Sequence, residues 1–588
     1  MSETAKLQKR IRELEKENAR LAHELSVKMD KYGLYWLDCP EAFDAETEDR
    51  IPVLEEVTNK EIRNDGGKPT HILIEGDNYH ALTCLTFTHR GKIDVIYIDP
   101  PYNTGTGDFT YKDKRFLKEF PNGQQIGKDH PLRHSAWLSF MQKRLRLAKA
   151  LLSERGVIFI SIDDNEQANL KLLCDNVFGE KNFVATIPWR KRTAKADVPH
   201  NLSQDYEWVL CYANPKFKAG IRKDTRKYYE TPDFPGRPWR VHDMTTQRNK
   251  DERPNCFFTI VNPKNGKRYN ANPKRVWANN EETFKQFYAA GRIVFPGDYD
   301  FLKITKPVLR YFKADDERKA GDRFGFTTVS TDLPKEVGMT QDGTKDIDAI
   351  FAEKAFLFPK PVSLIEHLVR IATPGESPRA TVLDFFAGSG TTMHATMKLN
   401  AEDGGMRQCI LVQQAEGTNN ICERVTYERN RRVMCGYKRT GGESVPGLGG
   451  SLKYYRTAFV GKHGCVDALD EDRDALAANA GTMLALAEGT LDVVPVPKQA
   501  EGFWLHYTDG GHKHTLVYYS ARAKELPLLA EEADRIRAKD KAARLSVYVY
   551  TIGGNVSGYE NEFDDLANIE LKPIPEPILD IYKSVNGD

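Results

Sequence analysis

The chain has 588 residues, more than one hydrophobic core can organise, so we expect roughly three to five folding units. Its 85 Lys and Arg residues against 84 Asp and Glu residues leave a formal net charge of +1, which excludes a chain-wide polyelectrolyte. No apolar run reaches the roughly 18 residues of a membrane span, and the charged start MSETAKLQKR lacks the apolar segment of a secretory signal.

Cysteine usage bounds the redox chemistry of the chain. Nine cysteines are scattered along it, and no two of them form a CxxC pair. Zinc sites and a disulfide framework are therefore not expected, because no CxxC pair is present and the number of cysteines is odd. We expect no metal site, no membrane association and a location in the reducing cytoplasm.

The first predicted element is a helix within residues 1–30. Core positions recur at alternating intervals of four and three residues, and one of them is polar: Leu7, Ile11, Leu14, Asn18, Leu21 and Leu25. This is the spacing of a heptad seam, and an Asn in the seam fixes the register of two-stranded coiled coils. Two interpretations stay open, a coiled coil that joins two copies of the chain as a homodimer and a helix packed on its own domain.

Residues 31–185 predict the first half of an α/β core. THILIEGDN is a buried strand that ends at Asp77, KIDVIYID is a second strand that ends at Asp99, and VIFISID is a third. Helices are predicted from Tyr79 to Thr88 and over SAWLSFMQKRLRLAKALLSERG, which Gly156 ends. The apolar face of the second helix contains Trp137, Met141, Leu145, Ala148 and Leu152. Strands that alternate with helices predict a doubly wound, mostly parallel sheet.

Residues 186–355 interrupt this alternation and predict an inserted domain. Residues 186–310 hold 25 Lys and Arg against 13 Asp and Glu, a net charge of +12. The same stretch contains many aromatic residues, among them Trp189, Tyr206, Trp208, Tyr212, Tyr228, Tyr229, Trp239, Phe257, Phe258, Tyr269 and Trp277. Positive charge beside aromatic rings suits a surface that binds phosphates and stacks on bases. The alternative is a basic, loop-rich domain with no nucleic-acid ligand.

The α/β alternation resumes in residues 356–437. FPKPVSLIEHLVRIAT predicts a helix, ATVLDFFAGSGTTMHATMKL predicts a strand, a glycine turn and a helix, and QCILVQQAE predicts a further strand. The central sheet is therefore split in sequence around the insertion. Residues 438–588 begin with a glycine-rich linker and continue as a C-terminal α+β domain, and residues 461–588 carry a net charge of −9. We expect protein contacts in this acidic tail, with ordinary solubility as the alternative.

The glycine turn, DFFAGSGTT at residues 384–392, is the first motif that suggests a ligand. Gly388 and Gly390 permit a tight turn and close approach to the backbone, and the N-terminus of the next helix suits an anionic group. The turn lacks the GK[ST] of a P-loop. At the end of the next strand, Glu416 or Gln414 can bind the hydroxyls of a ribose. A turn without a ligand and an exposed loop glutamate are the alternatives.

IDPPYN, at residues 98–103, is the most specific motif. Two prolines directly after a buried strand fix the backbone and remove two N–H donors. The Asp99 carboxylate and the Pro100 carbonyl then present two acceptors to one amino group, and Tyr102 offers a face for stacking on a planar base. Two acceptors that pull on the hydrogens of an exocyclic NH2 group localise the nitrogen lone pair toward an electrophilic methyl group. The alternative is a rigid turn with a surface aspartate.

DPPYN before FAGSGT, with a large domain between them, resembles the beta-class amino-methyltransferases of DNA. The resemblance is closest to the modification (Mod) subunits of type III restriction-modification systems and also rests on ILIEGDNYHAL, WLSFMQKRLRLAKALL, FPKPVSLI and NNICERVTYERNRRV. It implies a circularly permuted, Rossmann-like methyltransferase fold with an inserted target-recognition domain. It further implies S-adenosylmethionine as methyl donor and N6 of a flipped adenine in double-stranded DNA as acceptor, because DPPY accompanies adenine and SPPY is commoner for cytosine N4.

The resemblance also assigns roles to individual residues. Those implied to act on the target base are Asp99, Pro100, Pro101 and Tyr102. Those implied to bind the methyl donor are Asp77, Lys360, Ser363, Asp384, Phe386, Ala387, Gly388, Ser389, Gly390, Thr391 and Glu416. Lys360 and Ser363 are expected on the methionine side of the donor, and Asp384 is expected to contact the donor's amino end or to hold the turn.

The resemblance implies partners as well. They are double-stranded DNA, a second copy of the chain and, in type III systems, a helicase-nuclease restriction subunit. A solitary methyltransferase without a nuclease is the first alternative. An enzyme that methylates an amino group of RNA or protein is the second, although such enzymes usually carry NPPY. A scaffold subunit that has the fold without the activity is the third.

Overall fold

The structure is a computed structural model of the chain. It describes Trp36, Asp38 and residues 50–64, 66–104, 132–193, 201–222, 226–321, 324–351, 354–375, 378–415, 420–439, 442–498, 501–519, 526–563 and 568–586. The predicted seam within residues 1–30 and Glu416 lie outside the described residues. None of the helices in the described part is long and apolar enough to cross a lipid bilayer.

The secondary structure alternates strands and helices over most of this length. The strands are β1 (Ile51–Glu56), β2 (Thr70–Glu75), β3 (Ile93–Ile98), β4 (Leu152–Ile162), β5 (Phe183–Arg190), β6 (Tyr206–Ala213), β7 (Ile221–Arg222), β8 (Trp239–His242), β9 (Thr259–Val261), β10 (Arg268–Asn270), β11 (Ile293–Val294), β12 (Val308–Phe312), β13 (Phe326–Thr327), β14 (Thr381–Asp384), β15 (Gln408–Gln413), β16 (Gly436–Lys438), β17 (Ser444–Pro446), β18 (Ser451–Val460), β19 (Asp492–Val494), β20 (Trp504–Thr508), β21 (Lys513–Tyr518), β22 (Arg544–Tyr550) and β23 (Ile569–Ile574). The α-helices are α1 (Asn78–Thr88), α2 (Leu132–Leu151), α3 (Gln167–Phe178), α4 (Glu281–Ala289), α5 (Lys313–Ala320), α6 (Thr340–Phe351), α7 (Val362–Ala372), α8 (Thr391–Asp403), α9 (Glu428–Cys435), α10 (Asp470–Asn479), α11 (Gly481–Glu488), α12 (Leu526–Lys539) and α13 (Glu576–Asn586).

A nine-stranded sheet forms the centre of the larger part of the chain, in the order β1-β18-β2-β15-β14-β3-β4-β6-β5. The strands from β18 to β4 run parallel, and β1 and β6 pair antiparallel at the two sides of this group. Strands such as β2 and β3 are buried along nearly their whole length, as expected for parallel strands covered on both faces. The predicted α/β fold with a mostly parallel, doubly wound sheet is confirmed.

The order of the strands reverses between β14 and β3. From β14 the chain continues to β15 on one side, and from β3 it continues to β4 on the other. The two strands are hydrogen-bonded neighbours, with Val382 opposite Val95 and Leu383 opposite Ile96. Open α/β sheets bind ligands in the crevice at the carboxyl ends of strands where the order reverses. The two sequence motifs therefore meet at this point, since the glycine turn follows β14 and DPPY follows β3.

The helix predicted to end at Gly156 ends earlier, at Leu151. Strand β4 begins directly with Leu152, which pairs with Ile93 before an irregularity in the ladder between Ile93 and Val95. A Cβ at Gly156 would lie 2.8 Å from the Leu152 side chain, so the glycine permits this bulge and does not end the helix. Residues after Leu151, which helical periodicity alone assigns to α2, thus belong to β4 because they pair with β3.

The chain divides into two compact units, one of which is Gly220–Val329 and the other the remainder. The smaller unit contains short strands in three small sheets, β10-β9, β11-β12-β8 and β13-β7. It is narrower than the predicted insertion of 186–355, because β5 and β6 pair with each other and with β4 in the central sheet. The apolar run in YEWVLCYA explains why β6 joins that sheet, where six of its eight residues are buried.

The C-terminal part supplies strands to two sheets. Strand β18 arises from the stretch that predicts a linker, and it pairs with β2 and β1 inside the central sheet. The remaining strands form a five-stranded mixed sheet, β19-β20-β21-β22-β23. The hydroxyl of buried Tyr582 in α13 donates to the Pro52 carbonyl of β1. Residues 438–588 therefore contribute a strand to the same central sheet as residues 31–185 and 356–437, and a boundary at residue 438 cuts through that sheet.

Candidate functional site

The candidate site lies at the carboxyl ends of β2, β3, β14 and β15, where side chains tie the loops to one another. The Asn78 amide donates to the Phe385 carbonyl over 3.0 Å, which joins the loop after β2 to the loop after β14. The Gln413 side chain at the end of β15 accepts from the Gly388 N–H over 2.7 Å. These contacts hold the glycine turn between two neighbouring strands.

The DPPY segment is fixed from its rear by α2 and by a buried acid. The Trp137 indole donates to the Pro101 carbonyl over 2.7 Å. Asn103 has a left-handed backbone, with φ of 56°, and its amide donates to Glu166, which is fully buried. No described residue donates a hydrogen bond to the Pro100 carbonyl, which leaves that oxygen available as an acceptor.

One oxygen of the Asp99 carboxylate is held by two donors. Its Oδ1 accepts from the Tyr102 hydroxyl over 2.7 Å and from the Lys360 ammonium over 3.0 Å. Among the described residues, no donor reaches its Oδ2. The carboxylate is therefore oriented through one oxygen, and the other can accept a hydrogen from a ligand.

Lys360 joins this corner to the glycine turn. Its Nζ lies 2.6 Å from the Tyr102 hydroxyl and 3.1 Å from Oε2 of Glu207, and the Lys360 side chain is only 10% exposed. Its backbone carbonyl accepts from the Thr391 hydroxyl over 3.4 Å. The resemblance implies a place for Lys360 on the methionine side of the donor, and the structure brings its ammonium to the Asp99 carboxylate. Its contact with the donor stays a prediction.

The charge states in the corner follow from these contacts. Burial alone lowers the pKa of Lys360, but the carboxylates of Asp99 and Glu207 outweigh it and raise that pKa above its ordinary value. Burial raises the pKa of Glu207, but Lys360 and Lys191 outweigh it and lower that pKa. Burial and the same two carboxylates raise the pKa of Tyr102. At neutral pH Lys360 is thus an ammonium, Glu207 a carboxylate and Tyr102 a neutral phenol that donates.

Asp384 holds the glycine turn from within the protein. Its carboxylate accepts from the Phe386 N–H over 3.0 Å and from the Thr392 hydroxyl over 2.6 Å, and the residue is buried. Burial raises its pKa to about 7. Of the two roles that the resemblance leaves open for Asp384, these contacts favour holding the turn.

The glycine turn itself uses backbone angles that favour glycine. Gly388 has φ of 49° and Gly390 has φ of 76°. A Cβ at Gly390 would lie 2.4 Å from the Asn430 amide nitrogen, and a Cβ at Gly388 would lie 3.3 Å from the Phe356 ring. Gly390 therefore permits close packing behind the turn. Gly388 lets the Phe356 ring lie close to the turn.

Behind the turn lies a buried arginine. Arg429 is fully buried and donates to the hydroxyls of Ser389, over 2.9 Å, and Thr391, over 2.8 Å. No described carboxylate forms an ion pair with it, and burial lowers its pKa to about 10. Its positive charge, which interacts with the Asp346 carboxylate without forming an ion pair, lies close to the start of α8, where the helix N-terminus also favours an anion.

Two other predicted donor-binding residues have structural contacts. Asp77 caps α1 by accepting from the Tyr79 N–H over 2.8 Å, and it lies 3.6 Å from the guanidinium of buried Arg144. The Ser363 hydroxyl accepts from the Gly338 N–H over 2.8 Å. Both residues order loops at the site, and their contacts with the methyl donor stay predictions. Among the described residues, no group of three or more His, Cys, Asp or Glu side chains is arranged to hold a metal ion.

Sequence reasoning missed Glu207, Lys191 and Arg429. Glu207 and Lys191 fall within the stretch assigned to the insertion, so they were not considered part of the core. A signal existed, because WVLCYA is a continuous apolar run that suits a buried strand and Glu207 immediately precedes it. Arg429 gave no such signal, since it stands among several arginines in ERNRR.

Residues 93–424 match the family model described as DNA methylase, which covers more than half of the chain. The chain belongs to this DNA methylase family. The type III restriction-modification enzyme StyLTI Mod subunit of Salmonella typhimurium is 32% identical over 438 residues, which cover 69% of this chain and 63% of that one. The EcoPI Mod subunit of Escherichia phage P1 is 29% identical, with 68% and 66% covered.

A relative of another kind is the type II methyltransferase M.KpnI of Klebsiella pneumoniae, which is 30% identical over 364 residues. The match covers 58% of this chain and 79% of M.KpnI. By comparison, the matched segments span slightly less than two thirds of the StyLTI and EcoPI Mod subunits.

Proposed function

We propose that this DNA methylase transfers a methyl group from S-adenosylmethionine to N6 of a flipped adenine in double-stranded DNA. The observation that carries the proposal is the arrangement at the reversal of the strand order. The Asp99 carboxylate, with one oxygen unused by described residues, follows the strand next to the one that leads into the glycine turn. An amino group and a methyl donor held at these two loops would lie at the ends of neighbouring strands.

The residues at the glycine turn fit S-adenosylmethionine by their chemistry. The left-handed Gly388 lets a ligand approach the backbone of the turn, and α8 and Arg429 provide positive potential for a carboxylate. Phe386, Ala387, Ser389 and Thr391 complete the turn, with Glu416 or Gln414 as ribose ligand. When bound, S-adenosylmethionine supplies a methyl group on a positively charged sulfur.

On the base side, the chain supplies acceptors and a stacking surface. Adenine N6 takes part in base pairing, so the nucleotide has to leave the duplex stack, at a cost of a few kcal/mol. Asp99 and the Pro100 carbonyl accept the two amino hydrogens, and Tyr102 lies against the ring. The nitrogen forms its bond to the methyl carbon as the carbon–sulfur bond breaks, and it then releases a proton toward Asp99. Positioning and electrostatics provide most of the acceleration.

Adenine is favoured over cytosine N4 by the aspartate in DPPY and by the similarity to Mod subunits. The same similarity supports a role as modification subunit of a type III-like system. A helicase-nuclease subunit as partner and a homodimer as assembly stay predictions. The compact unit Gly220–Val329 holds 23 Lys and Arg against 14 Asp and Glu in the sequence, which suits target recognition on DNA.

The test is methyl transfer from labelled S-adenosylmethionine to duplex DNA, to RNA and to protein, followed by base-resolved mapping of DNA from cells that express the chain. We expect label in duplex DNA, on adenine N6, within one recurring sequence. Label on cytosine N4 would correct the target base, and label only in RNA or protein would replace the proposal. Donor binding measured by calorimetry without any transfer would favour a scaffold subunit.

A further inference from the structure

Glu207 contacts the base-side corner from a strand that sequence reasoning placed elsewhere. It is the second residue of β6 and is buried. Its Oε2 lies 3.1 Å from both the Tyr102 hydroxyl and the Lys360 ammonium, and its Oε1 lies 3.4 Å from the Lys191 ammonium. Strand β6 is already held by its backbone pairing with β4 and β5, so the carboxylate is not needed to place the strand.

The contacts of Lys360 explain what a second carboxylate changes. An ammonium group has three hydrogens, and Lys360 has three acceptors within 3.1 Å: Asp99, Tyr102 and Glu207. Its positive charge is therefore shared between two carboxylates. The single hydroxyl hydrogen of Tyr102 likewise has two acceptors, Asp99 and Glu207.

Without the negative charge of Glu207, the Lys360 ammonium and the Tyr102 hydroxyl would both interact mainly with Asp99. Lys360 would form its ion pair with Asp99 alone, and the Tyr102 hydrogen would stay on the same carboxylate. Charge pairs in a largely buried place are screened weakly. The ion pair with Lys360 and the hydrogen bond from Tyr102 would therefore withdraw electron density from the Asp99 oxygen that faces the ligand. The carboxylate would then accept an amino hydrogen less strongly.

We infer that Glu207 is a positioning residue for methyl transfer, which holds Lys360 and Tyr102 so that Asp99 keeps a charged, unshared oxygen for the target amino group. This inference rests on the proposed function and deepens it. It assigns Glu207 no contact with the base or with the methyl donor. Its loss should therefore slow the chemical step and leave binding intact.

The experiment compares full-length wild type with Glu207→Gln in single-turnover methylation of the mapped DNA target. Gln keeps the shape of the side chain and removes its charge. We expect a 10- to 100-fold lower rate, which is the usual effect of losing a residue that orients a catalytic group, with the Kd for S-adenosylmethionine and the KM for DNA changed less than about twofold. The control is Glu154→Gln on β4, whose side chain is exposed and, among the described residues, pairs with Lys216 alone. It should retain the wild-type rate.

A double-variant cycle separates positioning from general damage. If the unshared charge of Lys360 is what weakens Asp99 in Glu207→Gln, adding Lys360→Met removes that charge as well. The loss in the double variant should then fall short of the product of the two single losses. A loss equal to or larger than that product overturns the inference, because the two residues would act independently.

The outcomes also distinguish this inference from the proposed function. A wild type that methylates no nucleic acid refutes both. An active wild type together with a Glu207→Gln variant that keeps the normal rate, or that loses donor affinity while folded, overturns the inference alone.

If thermal unfolding shows that Glu207→Gln is not folded, the Glu207→Asp variant tests the inference instead. It keeps the charge but is one methylene shorter, so we expect a several-fold slower rate with unchanged donor affinity, and a wild-type rate overturns the inference.

Discussion

At the residue scale, the two oxygens of the Asp99 carboxylate have different surroundings. Oδ1 is bound by Tyr102 and Lys360, whereas Oδ2 has no donor among the described residues. A carboxylate held through one oxygen loses little freedom when its other oxygen binds a ligand, so the corner is organised before the base arrives. Because of these different surroundings, Asp99 is the residue whose loss should slow methyl transfer most and change the affinity for the methyl donor least.

We expect Asp99→Ala to reduce methylation by at least about a thousandfold while the affinity for S-adenosylmethionine changes little, because the removed group is an acceptor aimed at the developing charge. Single-turnover methylation and calorimetry measure the two effects. The exposed Asp470→Ala in the C-terminal part is the control and should behave as wild type. Near-normal turnover by Asp99→Ala would falsify the assignment.

Asp384 predicts a dependence of stability on pH. Burial raises its pKa from an ordinary 3.8 to about 7, so the folded state binds its proton more tightly than the unfolded state. The resulting stabilisation is fully present below pH 3.8 and is lost as pH rises through 7. We expect the thermal stability of wild type relative to Asp384→Asn to fall between pH 5 and pH 8. A difference that stays constant over this range would show that Asp384 is charged throughout.

At the element scale, the connection from β14 to α8 depends on two left-handed glycines. Gly390→Ala should destabilise the protein and weaken donor binding at least tenfold, because its Cβ would overlap Asn430 and shift the turn. Gly489 is a matched control, since it has the same φ of 76° and no atom within 4 Å of an added Cβ. Gly489→Ala should cost only the roughly 1–2 kcal/mol of left-handed strain and leave donor affinity unchanged. Equal effects on donor affinity would contradict a binding role for the turn.

Helix α2 supports the DPPY segment through one hydrogen bond. Trp137→Phe keeps an aromatic ring but removes the donor to the Pro101 carbonyl. Loss of one partner of a buried hydrogen bond costs about 1–3 kcal/mol and frees the segment to move. We expect slower methyl transfer at unchanged donor affinity. Trp504→Phe in β20 is buried in the C-terminal sheet and should lower stability without a specific effect on the rate.

At the scale of the whole molecule, the basic unit Gly220–Val329 predicts salt-dependent DNA binding. Lys250 and Lys274 are exposed, form no ion pair with any described residue, and lie near each other because the Lys250 N–H bonds to the Pro273 carbonyl. If both contact phosphates, the double alanine variant should reduce the slope of log affinity against log salt by about 2. Lys285→Ala is the control, since Glu281 already neutralises that lysine. An unchanged slope in the double variant would place the DNA elsewhere.

The central sheet collects strands from distant parts of the chain. Strand β18 pairs with β2 although nearly four hundred residues separate them, and β1 pairs with β18 on its other side. Residues assigned by sequence to a linker, to the insertion and to the first half of the core thus share one sheet. Local sequence patterns cannot show which strands pair, because a buried strand has the same composition whichever strand lies beside it.

The sequence by itself determined the two motifs and the elements that carry them. Prolines restrict the backbone locally, glycines permit tight turns, and continuous apolar runs mark buried strands. DPPY after β3 and the glycine turn after β14 were therefore predictable from nearest neighbours. Only the tertiary structure decided which charges meet at Asp99. By sequence, Lys360 was expected on the donor side and Glu207 carried no predicted role. Their shared contacts arise because the sheet order brings β3, β6 and the start of α7 together. The energy of such a cluster depends on distance and burial, neither of which is written in local composition.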